Sequence, residues 1–271
     1  MAEAAADTPF RVGPVLGRGF GLLFKHLLPF GGAATIMFLP IAAIIALVTT
    51  TPMQLNQLMW LIGAALVLVF LLAYVATAGI AYGTFEALRG GKPGLGSCLR
   101  QGFSQFFPVL GVAIMTLLAL VGTVLPGLLI GAFGGRGLLV FLVLLSLIPM
   151  LMVMTVLWVA IPACVVERPG VTASLGRSAA LTKGERWSVF GIIVVLMLVN
   201  WGISLLSNVV TVPLASFGAS ATAMAVVGGL VGIVTTGLYT ALNAVMAAVA
   251  YHDLRVAKEG IGIDTIAAVF D

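Results

Sequence analysis

Six stretches of this chain are apolar on every side for the length of a membrane crossing, and that alone rules out most folds. They fall near residues 27–50, 58–84, 107–132, 138–163, 187–211 and 222–250. A hydrocarbon core about 30 Å thick takes about 20 residues of helix. Inside it every backbone N–H and C=O must be paired within the protein, which leaves helices and closed barrels as the spanning structures. Barrel strands alternate apolar and polar side chains, whereas "LIGAALVLVFLLAYVATAGIAYG" and "LLVFLVLLSLIPMLMVMTVLWVAIPA" do not alternate. With 61% hydrophobic and 8% charged residues and a mean hydropathy of +1.21, the chain has too little charge to cover a water-exposed body. The expected fold is all-α, a polytopic membrane protein in which residues 1–271 form one integral membrane domain.

The basic residues set the expected orientation. Arg11, Arg18 and Lys25 precede the first span, and Arg89, Lys92 and Arg100 lie between the second and third. Arg168, Arg177, Lys183 and Arg186 lie between the fourth and fifth, Arg255 and Lys258 follow the sixth, and Arg136 alone falls on the other side. The positive-inside rule then places both termini in the cytoplasm. All nine acidic residues fall on that side too, so the cytoplasmic face is expected to hold nearly all ionisable chemistry. The net charge of +4 and pI near 9.4 come from residues within a turn or two of membrane ends, where anionic headgroups attract each by ~1 kcal/mol. Anionic phospholipid, not nucleic acid, is the partner this pattern implies. The first residues carry Glu3 and Asp7 and no basic n-region, so no removable signal peptide is expected. Cys98 and Cys164 have no second Cys at metal-ligand spacing and are expected to be free thiols.

A weak threefold repeat organises the chain. "VLGRGFGLLFKHLLPF" (15–30), "CLRQGFSQFFPVL" (98–110) and "SLGRSAALTKGERW" (174–187) each place a Leu, then an Arg, ahead of a pair of spans. The approximate units are 12–92, 95–166 and 171–254, followed by a cytoplasmic tail at 255–271. Each unit is expected to be an amphipathic interfacial helix and a transmembrane hairpin. At about 100° per residue, Leu16, Phe20, Leu23, Phe24 and Leu27 share one face, opposite Arg18 and Lys25. Leu99, Phe103 and Phe106 cluster in the second unit. In the third, Val171, Leu175, Ala179 and Leu181 form the expected apolar side, with Arg177 and Lys183 on its flanks. Gly184 suits a left-handed helix end there, and Trp187 a place at headgroup level.

That third prelude carries two readings. Arg177, Lys183 and Arg186, with Arg18 and Arg100 as counterparts, either form the collar of a membrane helix or bind lipid phosphates by lifting their charges on alkyl stems. The stretches "RSAALTKGERW" (177–187) and "AYHDLRVAKEG" (250–260) also resemble signatures of the bacterial glycerophosphoryl diester phosphodiesterase membrane-domain family and related six-span inner-membrane proteins. The resemblance covers about 164–190 and 250–271, with only hydropathy and span number elsewhere. It implies a bacterial inner-membrane location and a membrane domain that some members fuse to a soluble phosphodiesterase barrel. No segment here is long enough for that barrel, so the resemblance implies no phosphodiesterase activity.

Catalytic motifs are missing from the sequence, and no enzyme activity, cofactor or metal is expected. There is no G-x-S-x-G, P-loop or dinucleotide fingerprint. His26, His252 and Asp253 make a site only if the first and last units meet. Gly79 with Gly83, and Gly228, Gly232, Thr236 and Thr240, are candidate small-residue packing ladders. No Asp, Glu, Lys or Arg is expected mid-membrane, which disfavours proton coupling. Asn200, Ser204, Ser207 and Asn208 share one face of the fifth span and, with Asn243, either line a polar groove or make interhelical hydrogen bonds worth ~0.6 kcal/mol each. Three functions remain open: a non-enzymatic protein engaging anionic phospholipid, a transporter or flippase of a lipid or amphiphile, and a membrane partner or anchor for a separate protein such as a phosphodiesterase. A homo-oligomer is compatible with each.

Overall fold

The computed structural model describes residues 10–216, 218 and 220–260, and these contain helices and no strand. The N-terminal Glu3 and Asp7 and residues 261–271 of the expected tail lie outside the described residues. In chain order the helices are α1 (Val12–Lys25), α2 (Leu27–Phe38), α3 (Pro40–Thr50), α4 (Leu55–Leu88), α5 (Leu95–Ser104), α6 (Phe106–Phe133), α7 (Gly135–Leu157), α8 (Ala160–Glu167), α9 (Val171–Thr182), α10 (Arg186–Ser216) and α11 (Ala221–Glu259). They supply six segments long and apolar enough to cross a membrane: Leu27–Thr50, Leu55–Leu88, Phe106–Phe133, Gly135–Glu167, Arg186–Leu214 and Thr222–Glu259. The chain is an all-α, multi-pass membrane protein in which α1, α5 and α9 each precede a pair of spans.

Two spans are interrupted where the sequence suggests continuous helices. The first breaks between α2 and α3, because Pro40 has no N–H to offer the Ile36 carbonyl; that oxygen instead accepts the Leu39 N–H at 3.1 Å. The fourth breaks at Trp158–Val159, between α7 and α8, just ahead of Pro162. Pro126, Pro149 and Pro213 stay inside α6, α7 and α10.

The centre of the bundle is α11. Its residues Ala241, Leu242, Val245, Met246, Val249 and Leu254 are all buried, as expected of a helix apolar on all sides. It packs against α1, α2, α3, α4, α8, α9 and α10. At 39 residues and 1.5 Å per residue it runs roughly 58 Å, nearly twice the hydrocarbon thickness. The first residues of the expected tail are helical: α11 continues to Glu259 and stops at Gly260, whose φ of +62° suits glycine and whose N–H bonds the Val256 carbonyl at 3.1 Å.

The three prelude helices bury one face each, but not always the expected one. In α1 the buried residues are Val15, Gly19 and Leu23, while Phe24 is exposed. In α5 they are Cys98 and Gly102, and Phe103 is exposed. In α9 the buried set is Ser174, Ser178, Leu181 and Thr182, so three of the four inward residues are polar. The expected side with Val171, Leu175 and Ala179 is only half-buried.

Close helix approach uses one of the two expected ladders. A Cβ on Gly79 would collide with the Cys98 carbonyl, and one on Gly83 would lie 2.7 Å from the Cys98 Sγ, so α4 and α5 meet along this pair. In α11 the tight positions are Gly229, against Ile45, and Gly237, whose Cβ would lie 2.9 Å from Thr35 backbone atoms. Gly232 has open space and Thr236 is exposed.

Gly79→Ala is expected to lower stability by about 1–3 kcal/mol, since backbone must move to admit the methyl, while Gly63→Ala, at a site with nothing within 4 Å, lowers it not at all. Thermal unfolding in detergent checks the pair. Burial, and next the Glu86 charge, raise the Cys98 thiol pKa to about 11. In a Cys164→Ser chain at pH 7.5, maleimide should modify the native protein far more slowly than the denatured one; equal rates would contradict this packing.

Candidate functional site

The stretch 156–187 builds a junction at one end of the bundle. The break at Trp158–Val159 removes the Val156 carbonyl from the helical ladder, and a buried carbonyl in lipid has to find a donor. Ser178 supplies it, with Oγ donating to the Val156 oxygen at 2.6 Å. Thr182 donates to the Ser178 carbonyl at 2.9 Å. The polar residues of "RSAALT" therefore face inward because they repair a helix break some twenty residues upstream. Arg168, at φ +49°, and Gly170, at φ +96°, turn the chain from α8 into α9, and Gly184, at φ +91°, ends the junction before α10.

Charged residues of "RSAALTKGERW" and "AYHDLRVAKEG" meet here. Arg177 Nε donates to both Glu167 carboxylate oxygens at 3.0 Å, and its Nη1 lies 2.5 Å from Glu259 Oε1. Arg255 pairs with Glu259 at 3.2 Å and with Glu167 at 3.6 Å. The Tyr251 hydroxyl donates to Glu167. Lys258 Nζ donates to the Ala180 carbonyl at 2.7 Å and the Lys183 carbonyl at 2.5 Å. The Glu259 hydrogen bond, and with it Glu167, raise the Arg177 pKa above its ordinary value against the opposing effect of burial. A second pair, Arg18 with Asp253, ties α1 to α11, and His252 Nδ1 lies 3.1 Å from Asp253 Oδ1.

The five expected headgroup-binding residues thus separate into two groups. Arg177 and Arg18 are held by carboxylates. Lys183, Arg186 and Arg100 are exposed and make no ion pair with a described residue. Arg186 stands at a cleft of about 440 Å³ between α7 and α10, whose other walls are Ile148, Leu151, Met152, Thr155, Trp187 and Phe190. Trp187 is 85% exposed. Sequence reading missed Arg168, which lines a separate cleft of about 320 Å³ with Ser104, Gln105, Pro108, Cys164 and Gly170; the R-P-G turn that places it was the available signal.

The expected polar groove divides in the same way. Ser204 donates to the Asn200 carbonyl at 2.9 Å, Ser207 to Ile203 at 3.0 Å and Asn208 to Ser204 at 3.1 Å. The α10 row is thereby satisfied largely by its own backbone. Asn243 faces a cavity whose walls come from α4, α6, α7, α8, α11 and Trp158, with no residue of α10. The first and last units do meet, but through Arg18 and Asp253. The His26 ring lies against Phe30 at 5.8 Å, and among the described residues no three His, Cys, Asp or Glu side chains gather to hold a metal.

Comparison of the chain with protein-family models, with curated proteins and with solved structures finds no match in any of the three.

Ser178→Ala leaves the Val156 carbonyl without its best donor and should lower stability by about 1–3 kcal/mol. Arg186→Ala, at an exposed position, should change it by less than about 0.5 kcal/mol. Thermal melts of both in one detergent decide the matter, and equal losses would contradict the junction.

Proposed function

We propose that this is a non-enzymatic multi-pass protein of a bacterial inner membrane that engages anionic phospholipid at its cytoplasmic face and serves a lipid- or envelope-related process. The observation that carries the reading is the Arg186 cleft. A cleft of about 440 Å³ falls within the range of small-molecule sites. Its walls suit an acyl chain, its cation suits a phosphate, and an exposed Trp at the mouth suits the headgroup layer. Arg177 and Arg18 act as positioning residues that join α9 and α1 to their neighbours, while Lys183, Arg186 and Arg100 stay exposed to headgroups. The likeness of "RSAALTKGERW" and "AYHDLRVAKEG" to the glycerophosphoryl diester phosphodiesterase membrane-domain family agrees with a lipid-related role.

Transport of a lipid or other amphiphile is the second reading, favoured by the interrupted fourth span, since broken helices line binding cavities in carriers.

Extraction into native nanodiscs followed by lipid mass spectrometry tests the first reading. Arg186→Gln removes one charge worth ~1 kcal/mol, so anionic lipid retained by the protein should fall about fivefold. An Arg186→Gln chain that melts as wild type and keeps the same anionic lipid would falsify it.

A further inference from the structure

The cavity beside Asn243 is chemically unlike the Arg186 cleft, and the inference from it does not depend on lipid binding there. It has a volume of about 290 Å³ and no charged residue in its lining. Its polar residues are Tyr74, Thr77, Thr116, Trp158, Tyr239, Thr240 and Asn243, of which Thr77 donates to the Ala73 carbonyl at 2.8 Å, set among apolar walls such as Leu120, Met154 and Ile161. None of these side chains is exposed. Tyr74 precedes the end of α4 at Leu88, and Thr116 follows the start of α6 at Phe106. At 1.5 Å per residue these positions are roughly 15–20 Å along their spans, which is membrane depth.

At that depth an unpaired polar group costs several kcal/mol. Several here have no partner among the described residues and keep accessible surface where they line the cavity, instead of being sealed within protein. Trp158 Nε1 donates to Asn243 Oδ1 at 3.4 Å, which leaves the Asn243 amide nitrogen with no acceptor among the described residues. The Tyr74 ring packs on Phe70 at 4.7 Å, and neither its hydroxyl nor that of Tyr239 bonds a described residue. Trp158 stands at the break between α7 and α8, so the interruption of the fourth span also shapes this wall. A charged ligand would find no countercharge, at a cost far above that of a neutral one. Hydroxyls, an amide and an indole N–H around apolar walls suit an uncharged group rich in hydroxyls.

We propose that this cavity binds an uncharged hydroxyl-bearing group, either the head of a neutral glycerolipid or a free small polyol, between α4, α6, α7, α8 and α11.

Trp158 is the reporter. The full chain with Trp60→Phe, Trp187→Phe and Trp201→Phe keeps it as the sole tryptophan, and the three replaced residues are all exposed. In phosphatidylcholine nanodiscs, brominated diacylglycerol should quench Trp158 at least twofold more than brominated phosphatidylcholine at the same mole fraction. Asn243→Leu with Thr240→Val should abolish the excess. A shift of Trp158 emission by millimolar glycerol, lost in the same double variant and without excess lipid quenching, assigns the site to a free polyol and equally supports it. Quenching that is equal for the two brominated lipids with no response to glycerol, or an excess that survives the double variant, overturns the proposal. If the three-Trp variant does not fold, a diazirine-bearing diacylglycerol on the wild-type chain takes its place. Labelling should then concentrate at Thr116, Trp158 and Tyr239, and labelling spread over the outer surface would overturn it. Arg186→Gln should leave every one of these readouts unchanged.

Discussion

Arg177 lies between two carboxylates, Glu167 from the end of α8 and Glu259 from the end of α11, and much of the packed end of the bundle depends on that placement. Apolar burial does little to hold helices together in a bilayer, because lipid tails are as apolar as leucine. Specific joints must do it instead. The guanidinium suits this one, since its fixed fork of donors reaches two acceptors at once. Tyr251, Arg255 and Lys258 add contacts from α11, so a short helix with a polar inner face is fastened over an interrupted span.

The same joint divides the cations by purpose. The paired ones, half-buried Arg177 and exposed Arg18, neutralise carboxylates and join helices. Lys183, Arg186 and Arg100 remain open to the surroundings, and Arg186 follows immediately after the fastened segment. Arg186, the cation of the proposed headgroup cleft, opens α10 just beyond the turn at Gly184. The uncharged cavity beside Asn243 lies on the far side of the same helix break. One interruption at Trp158–Val159 therefore shapes both the polar inner face of α9 and one wall of that cavity.

Much of this was legible in the sequence. Runs of about twenty apolar residues located all six spans, and Gly79 and Gly83 marked the meeting of α4 with α5. Periodicity misjudged α9, because it ranks faces by hydrophobicity, and Ser178 and Thr182 turn inward for a carbonyl that only the folded chain leaves open. In α11 the tight glycines are Gly229 and Gly237, not Gly228 and Gly232; a helix surrounded on most sides carries no polar face to set its rotation. Arg177 read as a membrane collar or a lipid contact, and its partners, Glu167 and Glu259, stayed out of view because they come from other helices. Asn243 could not be separated from the α10 row for the same reason: spacing within one helix is silent about which neighbour a side chain meets.

The most direct measurement is a double-mutant cycle between Arg177 and Glu259, with Arg177→Ala, Glu259→Ala and the double variant unfolded thermally in the same detergent. If the pair is the joint described, the two changes interact by about 1–2 kcal/mol, within the range for residues in one ion-pair network. Losses that add to within about 0.3–0.5 kcal/mol, as for independent sites, would contradict it.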